Sequence, residues 1–330
     1  MSTFAAVVLF VGVVAYAVFG GADYGAGFWD LTAGGAESGR RPRHLVDEAL
    51  APVWEANHVW LIFCLVMLWT AFSPAFAAIT TTLYIPLGLA ALGIVVRGSG
   101  FAFRKVMVRT DQQRVTGAAF AVSSVVVPFF LGTVAGGIAS GRVPTGGHGD
   151  ALRSWVNPTS LLGGVLAVIV VAFVAAVFLT AEARIRGEHD LVAYFGLRAR
   201  ISAFAAGVVA LAGIAILRAD SPRLFHGLLS RGLPLVIVSG ACGLGALLLL
   251  RRLAPRLLQV LAVGASATIV AGWGVAQYPY LLGTHLSIGA AAAPRATLIA
   301  LTVVAAAALV LVAPSLALLF ALQQRGRLEA

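Results

Sequence analysis

Charged residues are scarce: they fill 11% of the 330 positions, where soluble globular chains carry roughly 25%. With 60% hydrophobic residues and a mean hydropathy of +0.96, the chain cannot hide its apolar surface within itself. The solvent it expects is lipid. Cysteine is nearly absent. Cys64 and Cys242 both lie inside apolar runs and form no CxxC pair, so they read as small buried hydrophobes and not as a disulfide or metal framework. There are six histidines and three methionines. Only His58 sits at the edge of an apolar run, and only Met67 lies well inside one. They are nine residues apart in one predicted helix, about 13 Å along its axis, so they cannot clamp one haem between facing ligands. The chain is therefore expected to bind no haem and no metal. The formal charge of +10 does not point to nucleic acid, because the arginines lie between apolar runs instead of on one soluble face. The opening Met1-Ser-Thr-Phe lacks a basic leader, so the first apolar run is expected to be an uncleaved anchor.

What is present is a series of apolar runs near the roughly 20 residues that a bilayer-spanning helix needs. They fall at about 3–22, 55–73, 75–97, 116–139, 158–182, 200–219, 232–251, 256–276 and 296–321. The expected fold is an all-α membrane protein of about nine transmembrane helices, one integral membrane domain over 1–330, with no inserted soluble domain and no internal repeat. Residues 59 to 96 carry no charge. As one helix they would be about 57 Å long, nearly twice the ~30 Å hydrocarbon core. A turn is expected at Ser73-Pro74, because the residue before a proline is pushed out of the helical region. With that turn, 17 of the 23 lysines and arginines follow odd-numbered spans, and 6 lie at the N-terminus or after even-numbered ones. Without it the split falls to 14 against 9. The positive-inside rule then places the N-terminus outside and the C-terminus in the cytoplasm. Loops 33–54, 98–115 and 183–199 are expected on the cytoplasmic side, and the Gly-rich segment 140–157 on the outer side.

Ionisable groups within spans cost about 2.5–3.5 kcal/mol at the helix centre, so the few present are informative. Asp23, in GGADYGAGFWDL, ends the first span among Gly20, Gly21, Gly25 and Gly27. Small residues there allow close helix approach. Asp23 reads either as a functional acid or as a helix-end acid on a packing seam. Asp30, two turns on, reads as a weaker polar candidate or as a solvated interfacial group. Glu182 ends the fifth span. In APVWEANHVWLIF, Glu55, Asn57 and His58 open the second span between Trp54 and Trp60. Burial moves a carboxylate and an imidazole toward neutral titration from opposite sides, so Glu55 and His58 could pass protons inward. The competing reading is an acid satisfying the helix N-terminus beside interfacial tryptophans.

GADYGAGFWDL followed by APVWEANHVWLI resembles subunit II of the cytochrome bd-type quinol oxidases. That family shows F-D-x-G-x-G in its first span and P-x-W-[DE]-x-N-x-V-W-L at its second. RGSGFAFRK (97–105) resembles the family's R-x-x-x-F-x-[FY]-R segment, and TAEARIRGE its acid-bearing stretch after the fifth span. GWGVAQYPYLL (272–282) is similar to a late aromatic-proline motif in the form common in the cyanide-insensitive branch. Departures are Glu55 where Asp is frequent, His58 where Gln or Glu is frequent, and Ala102 where Asp is common. The resemblance implies two four-helix bundles plus a peripheral helix, the first bundle within 1–139, an external loop at 140–157, and five helices in 158–330. It implies a haem-free subunit in a heterodimer with a haem-bearing subunit I, which carries haems b and d, oxidises quinol and reduces dioxygen to water. The setting is the bacterial cytoplasmic membrane, amid lipids and the quinone pool, with a possible small accessory chain and no nucleic acid. No catalytic residue is implied in this chain. A proton path from the cytoplasm is implied at Glu55, with Trp54, Asn57, His58 and Asp23 around it.

The alternative is a secondary transporter, for which Pro86, Pro128 and Pro314 would break helices at a substrate site. An absorption spectrum of the gently solubilised protein separates the two. Haem bands from a co-purifying partner are expected, and a colourless monomer that binds a solute would favour the transporter.

Overall fold

In lipid, long apolar stretches must satisfy their own backbone N–H and C=O groups, and the chain is helical almost throughout. A computed structural model describes residues 1–35, 37–106, 110–146, 148–250 and 252–324. It describes all side chains there except those of 50–56, 101, 104–106, 110–115, 309, 312–313, 316–317 and 319–324. The elements in order are α1 (Ser2–Leu31), α2 (Arg40–Ala71), α3 (Ser73–Thr82), α4 (Tyr84–Val106), α5 (Thr110–Ala139), α6 (Pro158–Ile185) and α7 (His189–Asp220). Then come α8 (Pro222–Ser230), α9 (Leu233–Leu248), α10 (Pro255–Gln277), the antiparallel hairpin β1 (Tyr280–Leu282) and β2 (Leu286–Ser287), α11 (Ile288–Ala291) and α12 (Arg295–Gln324). Helices α3, α6, α8, α9 and α10 carry a proline in their first turn, where the missing N–H is no loss.

The chain is a multi-pass helical membrane protein. Among the described residues, five helices are long and apolar enough to cross a bilayer: α1, α6, α7, α10 and Thr116–Ala139 of α5. Two bent pairs raise this to seven: Asn57–Ala71 with α3, bent by 116°, and α8 with α9, bent by 78°. Tyr84–Gly100 and Arg295–Ala308 are shorter apolar helices.

The break after α2 falls at Phe72, beside Ser73-Pro74. The stretch 75–97, expected as one helix, is instead two, because the chain leaves the helical conformation at Leu83. The expected loops are also shorter than their predicted ranges. α2 begins at Arg40, α4 runs on to Val106 and α7 begins at His189. A 30-residue helix such as α1 is about 45 Å long, more than the ~30 Å hydrocarbon core, and its apolar run covers only its first two-thirds. Two of the suspected prolines do not break their helices: α5 and α12 continue through Pro128 and Pro314. Pro86 stands in the first turn of α4.

α1 packs on α2, α5, α6 and α10; α4 packs on α5; α6 packs on α5, α7 and α10; and α9 packs on α10. The largest buried cluster joins α1, α6, α7 and α10 through Trp29, Phe173, Leu179, Phe195 and Leu258. The α1–α6 and α5–α6 contacts are backbone-close. A Cβ on Gly25 would lie 1.9 Å from the Val171 carbonyl oxygen, and one on Gly132 would lie 2.4 Å from the Gly163 oxygen.

The connecting segments gather at two ends. At one end Arg142 and Thr159 hold Asp220 at 2.6 Å each, and Arg231 reaches the Tyr278 carbonyl at 2.5 Å. There the backbone N–H groups of Arg153 and Leu152 hold the Asp150 carboxyl below the usual carboxylate range. At the other end Arg41 bonds Glu188 and Asp190 at 3.2 and 3.1 Å, and Arg186 bonds both Glu48 and Glu182.

Gly25→Ala is expected to lower the thermal midpoint of the solubilised protein, since overpacking costs about 1–3 kcal/mol. Gly88→Ala, with no atom within 4 Å of the added Cβ, should raise stability by about 0.5–1 kcal/mol.

Candidate functional site

Asp23 is 3% exposed, deep in α1. A bare carboxylate there would be prohibitive in lipid, and its partner comes from α4. Arg97 is 1% exposed and donates from Nη2 to Asp23 Oδ1 at 2.5 Å and to the Asp23 carbonyl at 2.9 Å. Its Nη1 donates to Ser124 Oγ on α5. Ser124 Oγ in turn donates to the Phe120 carbonyl at 2.6 Å. From α2, Asn57, which is fully buried, donates from Nδ2 to Asp23 Oδ2 at 3.3 Å. One carboxylate thus ties together four helices.

Aromatic faces complete the enclosure. The guanidinium carbon of Arg97 lies 4.2 Å from the Phe120 ring centroid and 4.9 Å from that of Tyr24. Both distances suit a cation–π contact. The Tyr24 hydroxyl meets that of Tyr16 at 3.2 Å. The space for Arg97 comes from a missing side chain: a Cβ on Gly27 would lie 2.0 Å from Ser124 Oγ and 2.9 Å from Arg97 Nη1. The small residues around Asp23 therefore make room for a charge as well as for a helix.

Two polar atoms in this enclosure are unsatisfied: the acceptor Asn57 Oδ1 and the donor Arg97 Nε. A buried polar group without a partner costs about 1–3 kcal/mol, more when charged. One water bonded to these groups would remove part of that cost.

Of the residues singled out from the sequence, Asp23 and Asn57 are in direct contact. His58 is half-buried one residue further along α2. Trp54 and Glu55 belong to the helical backbone of α2, but their side chains lie outside the described residues. Asp30 is not a solvated interfacial group. It is 6% exposed, and Arg43 Nε donates to it at 2.9 Å while the other arginine nitrogens bind the Gly34 and Gly35 carbonyls. Glu182 sits apart from the cluster, paired with Arg186 at 2.8 Å.

Arg97 and Ser124 were not foreseen from the sequence. Arg97 reads there as the last residue of the run 75–97, counted for topology and opening the RGSGFAFRK segment, and the structure places it inside α4, bonded to Asp23. The available signal was Asp23 itself, since a membrane-depth acid needs a cation, and Arg97 stands directly at the end of an uncharged run. His58 and the buried Met67 lie on one helix and do not present facing axial ligands. Among the described residues, no three His, Cys, Asp or Glu side chains converge as a metal site.

The fold and this enclosure define a polytopic helical membrane subunit built around one buried acid–arginine pair. The chain belongs to the cytochrome bd terminal oxidase subunit II family, whose model matches residues 1–323. It is 28% identical over 218 residues to the cytochrome bd-I ubiquinol oxidase subunit 2 of Escherichia coli K12, covering 63% of this chain and 54% of that protein. It is 29% identical over 161 residues to the cytochrome bd ubiquinol oxidase subunit 2 of Bacillus subtilis 168, covering 48% of this chain and 46% of that one. The matches thus span about half the length of these curated relatives. A chain in the structure of bd oxidase from Geobacillus thermodenitrificans superposes with a TM-score of 0.78 at 25% identity, over 97% of this chain and 98% of that one.

Removing one partner of a buried pair costs about 3–5 kcal/mol, because the other charge is left alone. Arg97→Gln and Asp23→Asn are each expected to lower the thermal midpoint sharply. The double variant should recover much of the loss, as a double-mutant cycle on the solubilised complex would measure.

Proposed function

We propose that this chain is the haem-free subunit of a respiratory quinol:dioxygen oxidoreductase in the bacterial cytoplasmic membrane. It partners a haem-bearing subunit I that holds haems b and d. In that reading the complex oxidises quinol and reduces dioxygen to water, and this chain supports subunit I and supplies protons from the cytoplasmic side. Nine spans, N-terminus outside, C-terminus inside, fit the charge parity. They require the two shorter apolar helices as well as the seven longer units. Helices α1, α2, α4 and α5 then form one bundle, α6, α7, α9 and α10 a second, and α12 is peripheral.

The observation that supports a proton inlet is the hydrogen bond from Asn57 to Asp23. It joins the Trp54–His58 block to a buried polar enclosure, next to two unsatisfied atoms where water would be held. Within this scheme the exchanging groups are Glu55 and His58. Asp23 has a different role from theirs: the Arg97 guanidinium neutralises it, so it serves as a fixed anchor that orients Asn57. Haem, when present in the partner, supplies the redox chemistry. This chain's residues orient the inlet and keep hydrocarbon from closing over it.

The transporter reading has less support: α5 and α12 continue through Pro128 and Pro314, while Pro86 stands in the first turn of α4 after the break at Leu83. Ionisable side chains at depth are instead consumed in pairing.

Glu55→Gln is expected to slow quinol-driven oxygen consumption, by on the order of a hundredfold if Glu55 is the obligatory donor, with haem content unchanged. Glu55→Asp should retain most of the activity. Turnover of Glu55→Gln equal to that of the parent from mildly acidic to mildly alkaline pH would refute the inlet.

A further inference from the structure

At the end of the molecule where α2 begins, four arginines are satisfied by the chain itself. Arg41 and Arg186 have carboxylates, and Arg43 has Asp30 and two carbonyls. Arg184 binds the Leu253 and Leu250 carbonyls. Arg198, half-buried on α7, is different. Its Nη1 donates to the Tyr194 carbonyl one turn back, at 3.2 Å. Its Nε is buried with no acceptor, and so is the hydroxyl of Tyr194. No carboxylate pairs with Arg198 among the described residues. Two rings hold the guanidinium flat, with its carbon 3.3 Å from the Tyr194 centroid and 5.7 Å from that of Trp29 on α1.

A half-buried cation without a counter-ion, beside a hydroxyl without an acceptor, is costly. The exposed part of the half-buried guanidinium can donate to anionic oxygen from outside the chain, and a small turn of the Tyr194 side chain would bring its hydroxyl to the same oxygen. Their position suggests its source. Arg198 lies about 14 Å along α7 from His189, just before the apolar run that begins at Ile201. It is flanked by Trp29 and Tyr194, the residue types that collect at headgroup level. Beside it runs an exposed stripe of large apolar side chains on α7: Leu197, Ile201, Phe204, Val208, Leu211 and Ile214. The stripe extends about 26 Å. Surfaces where membrane helices pack on one another favour small residues. Large branched and aromatic side chains dominate this stripe, with Gly207 a small residue among them, and such a surface suits acyl chains better than a close-packed helix.

We propose that Tyr194 and Arg198 bind the phosphate of an anionic phospholipid whose acyl chains lie along the α7 stripe. The site is separate from the Asp23–Arg97 enclosure and does not depend on the reading of Glu55.

The test uses the assembled, delipidated complex, titrated with phosphatidylglycerol, phosphatidylcholine or inorganic phosphate and read by native mass spectrometry. The parent should bind phosphatidylglycerol in preference to phosphatidylcholine, and inorganic phosphate should not displace it. Arg198→Gln should weaken phosphatidylglycerol binding by about tenfold, the scale of one lost charge-assisted hydrogen bond, and erase the preference. Arg198→Lys should keep part of it, and Tyr194→Phe should cause a smaller loss. An unchanged preference in Arg198→Gln overturns the proposal. So does displacement by inorganic phosphate, which would make the site one for a free anion, or cross-linking of Arg198 to a carboxylate of another subunit. If Arg198→Gln does not assemble, phenylglyoxal labelling of Arg198 in the parent complex decides. Phosphatidylglycerol vesicles should slow the labelling relative to phosphatidylcholine vesicles, and equal rates overturn the proposal.

Discussion

The first half of this protein depends on one ion pair placed where ions are least welcome. Asp23 and Arg97 meet at 2.5 Å with almost no solvent exposure. Neither would be tolerable there alone. Their mutual requirement fixes the depth of α1 against α4, and the additional bonds to Asn57 and Ser124 bring in α2 and α5. Apolar packing between lipid-soluble helices gains little from excluding lipid, since the tails are as apolar as the side chains. A directional polar contact supplies the register that packing alone would leave loose.

The same pair shapes the functional reading. Asp23 is held by Arg97 on one oxygen and by Asn57 on the other, so the pair fixes the orientation of the Asn57 amide. Glu55 and His58, the groups proposed to exchange protons, lie within two residues of Asn57 along α2, so their backbone is held by a side chain that is itself held. Fixing the geometry of such groups from behind, through partners that do not take part in the chemistry, is a general requirement of polar sites.

Much of the architecture was legible in the sequence, and the reason is physical. Uncharged runs, a proline after an impossibly long apolar stretch, and arginines between runs follow directly from the cost of polarity in hydrocarbon. Helix ends were less legible, because α2, α4 and α7 continue past the lipid where composition no longer constrains them. The turn at Phe72 was found, but the break at Leu83 was missed, although Thr80-Thr81-Thr82 interrupts the apolar pattern there and Pro86 follows three residues on. Of the candidate site, Asp23 and Asn57 were visible as polar residues in the wrong solvent. Arg97 was not, because a cation at the end of a span looks the same whether it points to water or folds inward. Asp30 was misread in the opposite sense, since its partner Arg43 lies across a turn that residue spacing does not reveal.

The glycine seams carry one more consequence. At Gly25 against Val171, and at Gly132 against Gly163, main chain sits on main chain, and the nearest side chains are the methyl groups of Ala175 and Ala167. Shear motion needs side chains that can repack as one helix slides past another, and methyl groups have no rotamers to change. Helix α6 is therefore expected to move with α1 and α5 as one rigid frame.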